Sequence, residues 1–292
     1  PAGYVAAIRG SQLGMQVGCI EEENLGGVCL NVGCIPTKAM LSSALLVNEC
    51  QSAESHGIIF DGLASNLAPA QKRSRDIADK LANGVSHLFK KNKIEHIRGR
   101  GRLLGGSSVE VTNSEGETDT YTSDHILLAT GSRPRDIPVL PIDEKTIWSS
   151  TGALFQQNAP ASLAVVGAGA VGMEFADIYN AYGSKVTVIE ALERILPIED
   201  ADSSKVLQRS FQKRGVDFHT GATVKEAIIS PEGAKLIFED KSGNTHELDV
   251  EKVLSAVGRV PNTENLGLKE VGVEVSPAGF VMVDHHMRSS IS

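Results

Sequence analysis

Apolar residues recur at three- and four-residue spacing at Ile77, Leu81, Val85 and Leu88. That period predicts a helix over Asp76–Lys90 with those four on its buried face. Lys90, Lys91 and Lys93 suit a solvated C-terminal turn favoured by the helix dipole. Residues 94–129 then change period. Short strand-like runs broken at Gly105-Gly106 and around Asn113 to Gly116 predict a β-meander. It should close on the strand His125-Ile126-Leu127-Leu128-Ala129 and the turn Thr130-Gly131-Ser132-Arg133-Pro134. The same order recurs downstream, where a hairpin around Ser242-Gly243-Asn244 leads to Val253-Leu254-Ser255-Ala256-Val257-Gly258-Arg259. Pro134, Pro138 and Pro141 mark a linker between the two blocks.

The blocks are related by a repeat. Shifted by 169 positions, Gly3 falls on Gly172, Ala7 on Ala176, Gly14 on Gly183, Val17 on Val186, Ile20 on Ile189 and Glu21 on Glu190. Each copy reads as a glycine turn, a helix, a glycine stop and a short strand ending in Glu, which is half of a βαβ unit. In the second copy, the apolar strand Leu163 to Val166 runs into Gly167-Ala168-Gly169-Ala170-Val171-Gly172. Gly167 permits a tight turn, Gly169 lets backbone approach a pyrophosphate, and Gly172 allows close helix–strand packing. The helix N-terminus then presents free N–H groups to the phosphates. Glu190, 18 residues after Gly172, ends the next strand, where a carboxylate accepts from a ribose hydroxyl. The first copy opens inside its loop at Pro1-Ala2-Gly3, so the sequence is expected to belong to a longer protein.

Composition narrows the classes. Lys plus Arg number 28 and Asp plus Glu 36, a net charge of −8 that argues against a general nucleic-acid role. No run of about 18 apolar residues is present, so no membrane span is expected. Four cysteines in 292 residues are too few for a disulfide scaffold. With 29 glycines and only 4% aromatics, the chain is composed like an α/β nucleotide-binding protein.

Candidate chemistry lies in Gly26-Gly27-Val28-Cys29-Leu30-Asn31-Val32-Gly33-Cys34-Ile35-Pro36-Thr37-Lys38. Pro36 suits the first turn of a helix, which puts Cys34 where a helix N-terminus lowers a thiol pKa. Half a zinc site, two reduced structural thiols and a redox-active disulfide all fit the spacing. Zinc needs two further ligands, and Cys19 and Cys50 are poorly placed to supply them, so no metal is expected. The short glycine-containing loop favours the redox pair, with Cys19 and Cys50 as bystanders.

This segment resembles the active-disulfide motif of the flavoprotein disulfide reductases, and the Cys29-Leu30-Asn31 form is most similar to their dihydrolipoamide dehydrogenase branch. The likeness runs the length of the chain. It implies an α/β fold of two Rossmann-like domains, each a parallel sheet with helices and a β-meander. Residues 1–143 would bind FAD, 144–266 would bind NAD, and 267–292 would begin the return to the FAD side. Pro1-Ala2-Gly3 resembles the end of the FAD phosphate loop, Glu21 the FAD ribose carboxylate, and Ala129-Thr130-Gly131 the turn closing over FAD. Gly27, Gly101 and Ser132 join that set, and Gly258 joins the NAD loop. The resemblance implies that Cys29 and Cys34 form the disulfide, with Cys34 nearer the flavin, and that Lys38 pairs with Glu174 beside it. It also implies a homodimer, a His–Glu catalytic dyad beyond Ser292, and lipoyl domains of 2-oxo-acid dehydrogenase or glycine-cleavage complexes as partners. The bacterial cytoplasm or an organelle matrix would be the setting.

Two departures from the family pattern are Val28 and a sequence that stops at Ser292. The family's second FAD-binding Gly-Asp motif, dimerisation domain and His–Glu dyad are expected beyond it, so these residues alone are not expected to turn over. Val28 stands where a Thr is usual, which removes one hydroxyl. His285-His286 falls at a predicted strand end and reads as a surface pair. Sibling reductases acting on glutathione, trypanothione or mercuric ion mostly use NADPH and carry arginines where this chain has Glu190-Ala191-Leu192-Glu193. A non-catalytic nucleotide-binding scaffold is the alternative from another class, and retention of both cysteines argues against it.

Overall fold

The computed structural model describes residues 1–59 and 62–291. The chain runs through α1 (Ala2–Gln12), β1 (Gly18–Glu21), α2 (Gly27–Val32), α3 (Cys34–Gln51), α4 (Leu67–Lys91) and β2 (Glu95–Arg98). Next come β3 (Arg100–Gly105), β4 (Ser108–Thr112), β5 (Thr118–Thr122), β6 (Ser132–Pro134), β7 (Ile147–Trp148) and α5 (Ser150–Leu154). The second copy holds β8 (Ser162–Val166), α6 (Ala170–Ala181), β9 (Lys185–Glu190), α7 (Ala201–Lys213) and β10 (Asp217–Thr220). It ends with β11 (Thr223–Ser230), β12 (Gly233–Glu239), β13 (Thr245–Val250), β14 (Lys252–Ser255) and β15 (Arg259–Pro261).

These elements form two compact units. The first comprises Pro1–Asn31, Ala78–Arg133 and Arg259–Ser292. In it β1 pairs with β2 in parallel, from Gly18↔Glu95 to Glu21↔Arg98, and β3-β4-β5 form the expected antiparallel meander. Ala7, Leu25, Leu30, Val85, Phe89 and Ile94 make its main core. The buried stripe of α4 is rotated from the predicted one. Val85 is buried, but Leu81 and Leu88 are exposed while Ala78 and Phe89 are buried. Small residues at 78 and 82 let the helix turn its alanine side inward, which an apolar-residue count cannot register. The predicted strand 125–129 does not form: it pairs with no strand among the described residues, and Leu127 stays exposed. An apolar run becomes a strand only where a ladder partner bonds its backbone. His285 and His286 sit in an exposed turn, not at a strand end, because the Asp284 carboxylate accepts from the backbone N–H groups of His286 and Arg288.

The second unit comprises Val32–Ile77 and Pro134–Gly258. Its parallel five-stranded sheet has the order β10-β9-β8-β14-β7. Alternation along each strand feeds two cores. Leu163, Val165, Val186, Val188 and Leu254 meet helices α3 and α6 on one face. Ala164, Val166, Ile189 and Val253 meet the β11-β12-β13 meander on the other, through Leu236 and Phe238. Burial on both faces is why these strands read as continuous apolar runs. The parallel sheet and the meander reproduce the Rossmann-like α/β architecture that the repeat implies. The units do not follow a linear division at residue 143, because Met40 and Ala44 of α3 share one buried cluster with Phe175, Ile178 and Tyr179 of α6.

Two expectations change. The segment rich in proline is no free linker: Leu140 is fully buried, and Ile137 and Ile142 pack against its cluster. The helical stretch Gly27–Gln51 is, by length and composition, apolar enough to cross a membrane, with mean hydropathy 1.4. Interruption at Gly33 and the burial of Pro36, Thr37, Met40 and Ala44 give that apolarity a use in the core.

Leu140→Ala should therefore cost about 2–5 kcal/mol, as a buried large-to-small change does. Urea unfolding of the variant checks this; a change near zero would restore the linker reading.

Candidate active site and nucleotide cradles

The turn from β8 into α6 brings three glycines into different surroundings. A Cβ on Gly172 would stand 1.9 Å from the Gly167 carbonyl oxygen, and one on Gly167 would stand 2.4 Å from the Ala256 carbonyl oxygen. Gly169 is the opposite case: its Cβ would meet nothing within 4 Å, leaving an open cradle at the start of α6. Ala170 and Val171 are exposed there. Glu190, at the end of β9, is only 8% exposed. Its carboxylate accepts from Ala168 N at 2.6 Å and from Leu192 N at 2.8 Å. Glu190 therefore points inward and clamps the Gly167–Gly172 turn to the loop that follows β9. Gly258 carries open space on its Cβ side, and its carbonyl accepts from Arg135 N.

The first copy repeats the device. Glu21 ends β1, and its carboxylate accepts from Glu23 N at 2.9 Å, the same two-residue reach as Glu190 to Leu192. Gly3 would place a Cβ 3.4 Å from Ala129 Cβ, and Gly27 one 2.8 Å from Pro1 N. Gly101 lies in β3 against Ile20 and Val109 in ordinary packing contact. The Thr130-Gly131-Ser132 turn is held by partners that sequence patterning did not single out. Asn262 donates from Nδ2 to Thr130 O and from its backbone to Gly131 O, each at 3.0 Å. Arg259 Nε donates to Ser132 Oγ at 2.8 Å, and Arg133 forks onto Glu264 at 2.8 and 2.9 Å. Polar residues past a returning strand carry no periodic signal, so only the fold reveals them.

Cys29 and Cys34 are joined in a disulfide, and Cys19 and Cys50 are free. The disulfide removes the zinc and reduced-thiol readings. The loop is also more ordered than expected, since Cys29 lies within α2 and Cys34 is the first residue of the 18-residue α3. Asn31 Nδ2 donates to Leu25 O and Gly27 O at 3.1 and 3.0 Å, and Thr37 Oγ1 to Gly33 O at 2.7 Å. Burial and the Glu21 carboxylate push the Cys19 thiol above its ordinary value, which favours its protonated form. One turn past Cys34, Lys38 pairs with the Glu174 carboxylate, two residues into α6 after Gly172. The helix that starts at the disulfide is thereby tied to the helix that starts at the glycine cradle. Among the described residues, no cluster of three or more His, Cys, Asp or Glu is arranged to hold a metal ion.

Residues 1–292 match the pyridine nucleotide-disulphide oxidoreductase family. The chain belongs to that family. It is 40% identical over 296 residues to a leghemoglobin reductase of Glycine max, covering 100% of this chain and 56% of that protein. A dihydrolipoyl dehydrogenase of Bacillus subtilis is 39% identical over 300 residues, covering 99% and 63%. A mitochondrial one from Pisum sativum is 38% identical over 295 residues, covering 100% and 59%. The crystal structure of LpdA from Mycobacterium tuberculosis superposes with a TM-score of 0.89 at 28% identity, covering 99% of this chain and 62% of that one. The chain thus spans roughly three fifths of the length of these relatives. Oxidoreductases of this family use FAD and NAD, and the open cradle at Gly169 with the buried Glu190 fits a dinucleotide.

The glycines make a stability contrast. Gly172→Ala should cost about 1–3 kcal/mol, since backbone must move to admit the methyl group. Gly169→Ala, at φ −71° with open space on its Cβ side, should cost less, about 0.5 kcal/mol, the difference between Gly and Ala at a helix N-cap. Thermal melting of the two variants checks it; equal loss in both would contradict this packing.

Proposed function

We propose that the full-length protein oxidises protein-bound dihydrolipoamide to lipoamide and reduces NAD+, as the shared component of 2-oxo-acid dehydrogenase or glycine-cleavage complexes. The observation that carries this is the Cys29–Cys34 disulfide with Cys34 opening α3. A substrate thiolate attacks Cys29 Sγ, the Cys29–Cys34 bond breaks, and Cys34 leaves as a thiolate. Negative charge there is favoured by the N-terminus of α3. The second substrate thiolate then attacks the mixed disulfide, releasing lipoamide and leaving Cys29 as a thiolate. Two electrons have moved from the substrate sulfurs to the protein's pair; one substrate proton goes to the histidine of the His–Glu dyad that the resemblance implies beyond these residues, and the other to solvent.

FAD, when bound, supplies the two-electron relay from this thiol pair to NAD+. Gly3, Glu21, Gly27, Gly101, Thr130, Gly131 and Ser132 would hold it, with Lys38 oriented toward it by Glu174. Gly167, Gly169, Ala170, Val171, Gly172 and Gly258 would cradle the NAD pyrophosphate, and Glu190 would accept from the ribose hydroxyls. The same reading makes the protein a homodimer that engages lipoyl domains in the bacterial cytoplasm or an organelle matrix.

Steady-state assay of the full-length enzyme tests the proposal. Dihydrolipoamide with NAD+ should turn over, and Cys29→Ser or Cys34→Ser should lose more than about 10³-fold, as removal of a reacting group does. Turnover of glutathione disulfide with NADPH in its place would move the protein to a sibling reductase.

Cofactor choice follows from Glu190. Hydrogen bonds to a charged acceptor contribute about 1.5–3 kcal/mol, and repulsion of a 2′-phosphate adds to that. NAD+ should exceed NADP+ by at least about 100-fold in kcat/KM, a gap that Glu190→Ala narrows. Equal values for the two nucleotides would refute the assignment.

A further inference from the structure

The loop after β9 carries a second carboxylate, Glu193, beyond Glu190. Arg194, the cation nearest in sequence, is committed to its own loop, where Nη2 donates to Pro197 O at 2.7 Å and Glu199 O at 2.9 Å. Another cation arrives from the antiparallel sheet. Lys241 sits in the turn between β12 and β13, with Nζ 3.4 Å from Glu193 Oε2. Its Cβ and Cδ lie 3.5 and 3.7 Å from the place a Cβ on Gly221 would occupy. Gly221 N donates to Leu192 O, and Leu192 N donates to the Glu190 carboxylate, each at 2.8 Å. One short series of contacts therefore connects Glu190 to Lys241.

The turn that presents Lys241 is firmly built. The Asp240 carboxylate accepts from Ser242 N at 2.8 Å, from Asn244 N and Nδ2 at 3.0 Å, and meets His246 Nε2 at 2.9 Å. The His246 bond comes first among the causes that hold the Asp240 carboxyl well below the usual carboxylate range. Beyond that fixed backbone the lysine head is 68% exposed and its partner 75% exposed. An exposed pair of this kind is weak and salt-sensitive, so the ammonium is readily redirected to a better anion.

We propose that Lys241 is a second specificity residue at the ribose end: a cation positioned for a nucleotide 2′-phosphate that Glu193 occupies and neutralises. Glu190 and Glu193 then exclude the phosphorylated dinucleotide together, one by occupying the ribose and one by engaging a cation able to compensate. This rests on the assignment of Gly167 to Gly172 and Glu190 to the dinucleotide.

Calorimetric titration of the full-length protein with NAD+ and NADP+ at low salt tests it. The parent should bind NAD+. Glu193→Gln should tighten NADP+ about two- to fivefold, the scale of one exposed charge contact. The gain should shrink with added salt and vanish in Glu193→Gln/Lys241→Met. No gain in Glu193→Gln, or an equal gain without Lys241, overturns the role of Lys241 while leaving the dinucleotide assignment standing. Failure of the parent to bind NAD+ overturns that assignment and this inference with it.

Discussion

The approach of α6 to its own entry turn is the contact on which the second unit depends. With the Gly167 carbonyl where a methyl group on residue 172 would stand, the helix start lies directly against the end of β8. That leaves Gly169 with nothing opposite it, so the backbone faces open space at the start of α6, as the proposed approach of a phosphate requires. Glu190 completes the arrangement by holding Ala168 N in its buried carboxylate. A lost partner there would leave a buried N–H unpaired, at about 1–3 kcal/mol. The residue proposed to bind the ribose is thus also the one that holds the Gly167–Gly172 turn shut on β9.

Two chemical centres are linked through α3 and α6. The disulfide opens one helix and the glycine cradle opens the other, and Lys38–Glu174 joins them within one turn of each start. As a stabilising contact this partly exposed pair contributes little. Its value is positional, since it sets the register of the helix that opens at the disulfide against the one that opens at the glycine cradle. The apolar packing of Met40 and Ala44 on Phe175 and Tyr179 supplies the energy that the ion pair does not.

What was legible in the sequence were features with local causes. The 169-residue repeat, both meanders and the Gly167 to Glu190 unit follow from turn chemistry and strand alternation, and all appear in the fold. Glu21 and Glu190, aligned by the repeat, also share a carboxylate bond to the backbone N–H two residues on. What was not legible depended on partners distant along the chain. Residues 125–129 have strand composition but no ladder, Leu140 sits among prolines yet belongs to a core, and α4 buries its alanines where larger residues were expected. Asn262, Arg259 and Lys241 are invisible to periodicity because each acts from a loop or strand end brought in by topology. The cysteine segment lay between these cases: its spacing was informative, but its helical setting in α2 was not foreseen, because Gly26 and Gly27 look like loop residues.

The central claim is that Cys29 and Cys34 are the electron-carrying pair served by the nucleotide cradles. Anaerobic reduction of the full-length holoprotein by NADH, followed by thiol alkylation and peptide mapping, tests it most directly. NADH consumption and the appearance of alkylated Cys29 and Cys34 should rise together, while labelling of the free Cys19 and Cys50 stays the same with and without NADH. NADH oxidation that leaves Cys29 and Cys34 bonded would contradict it.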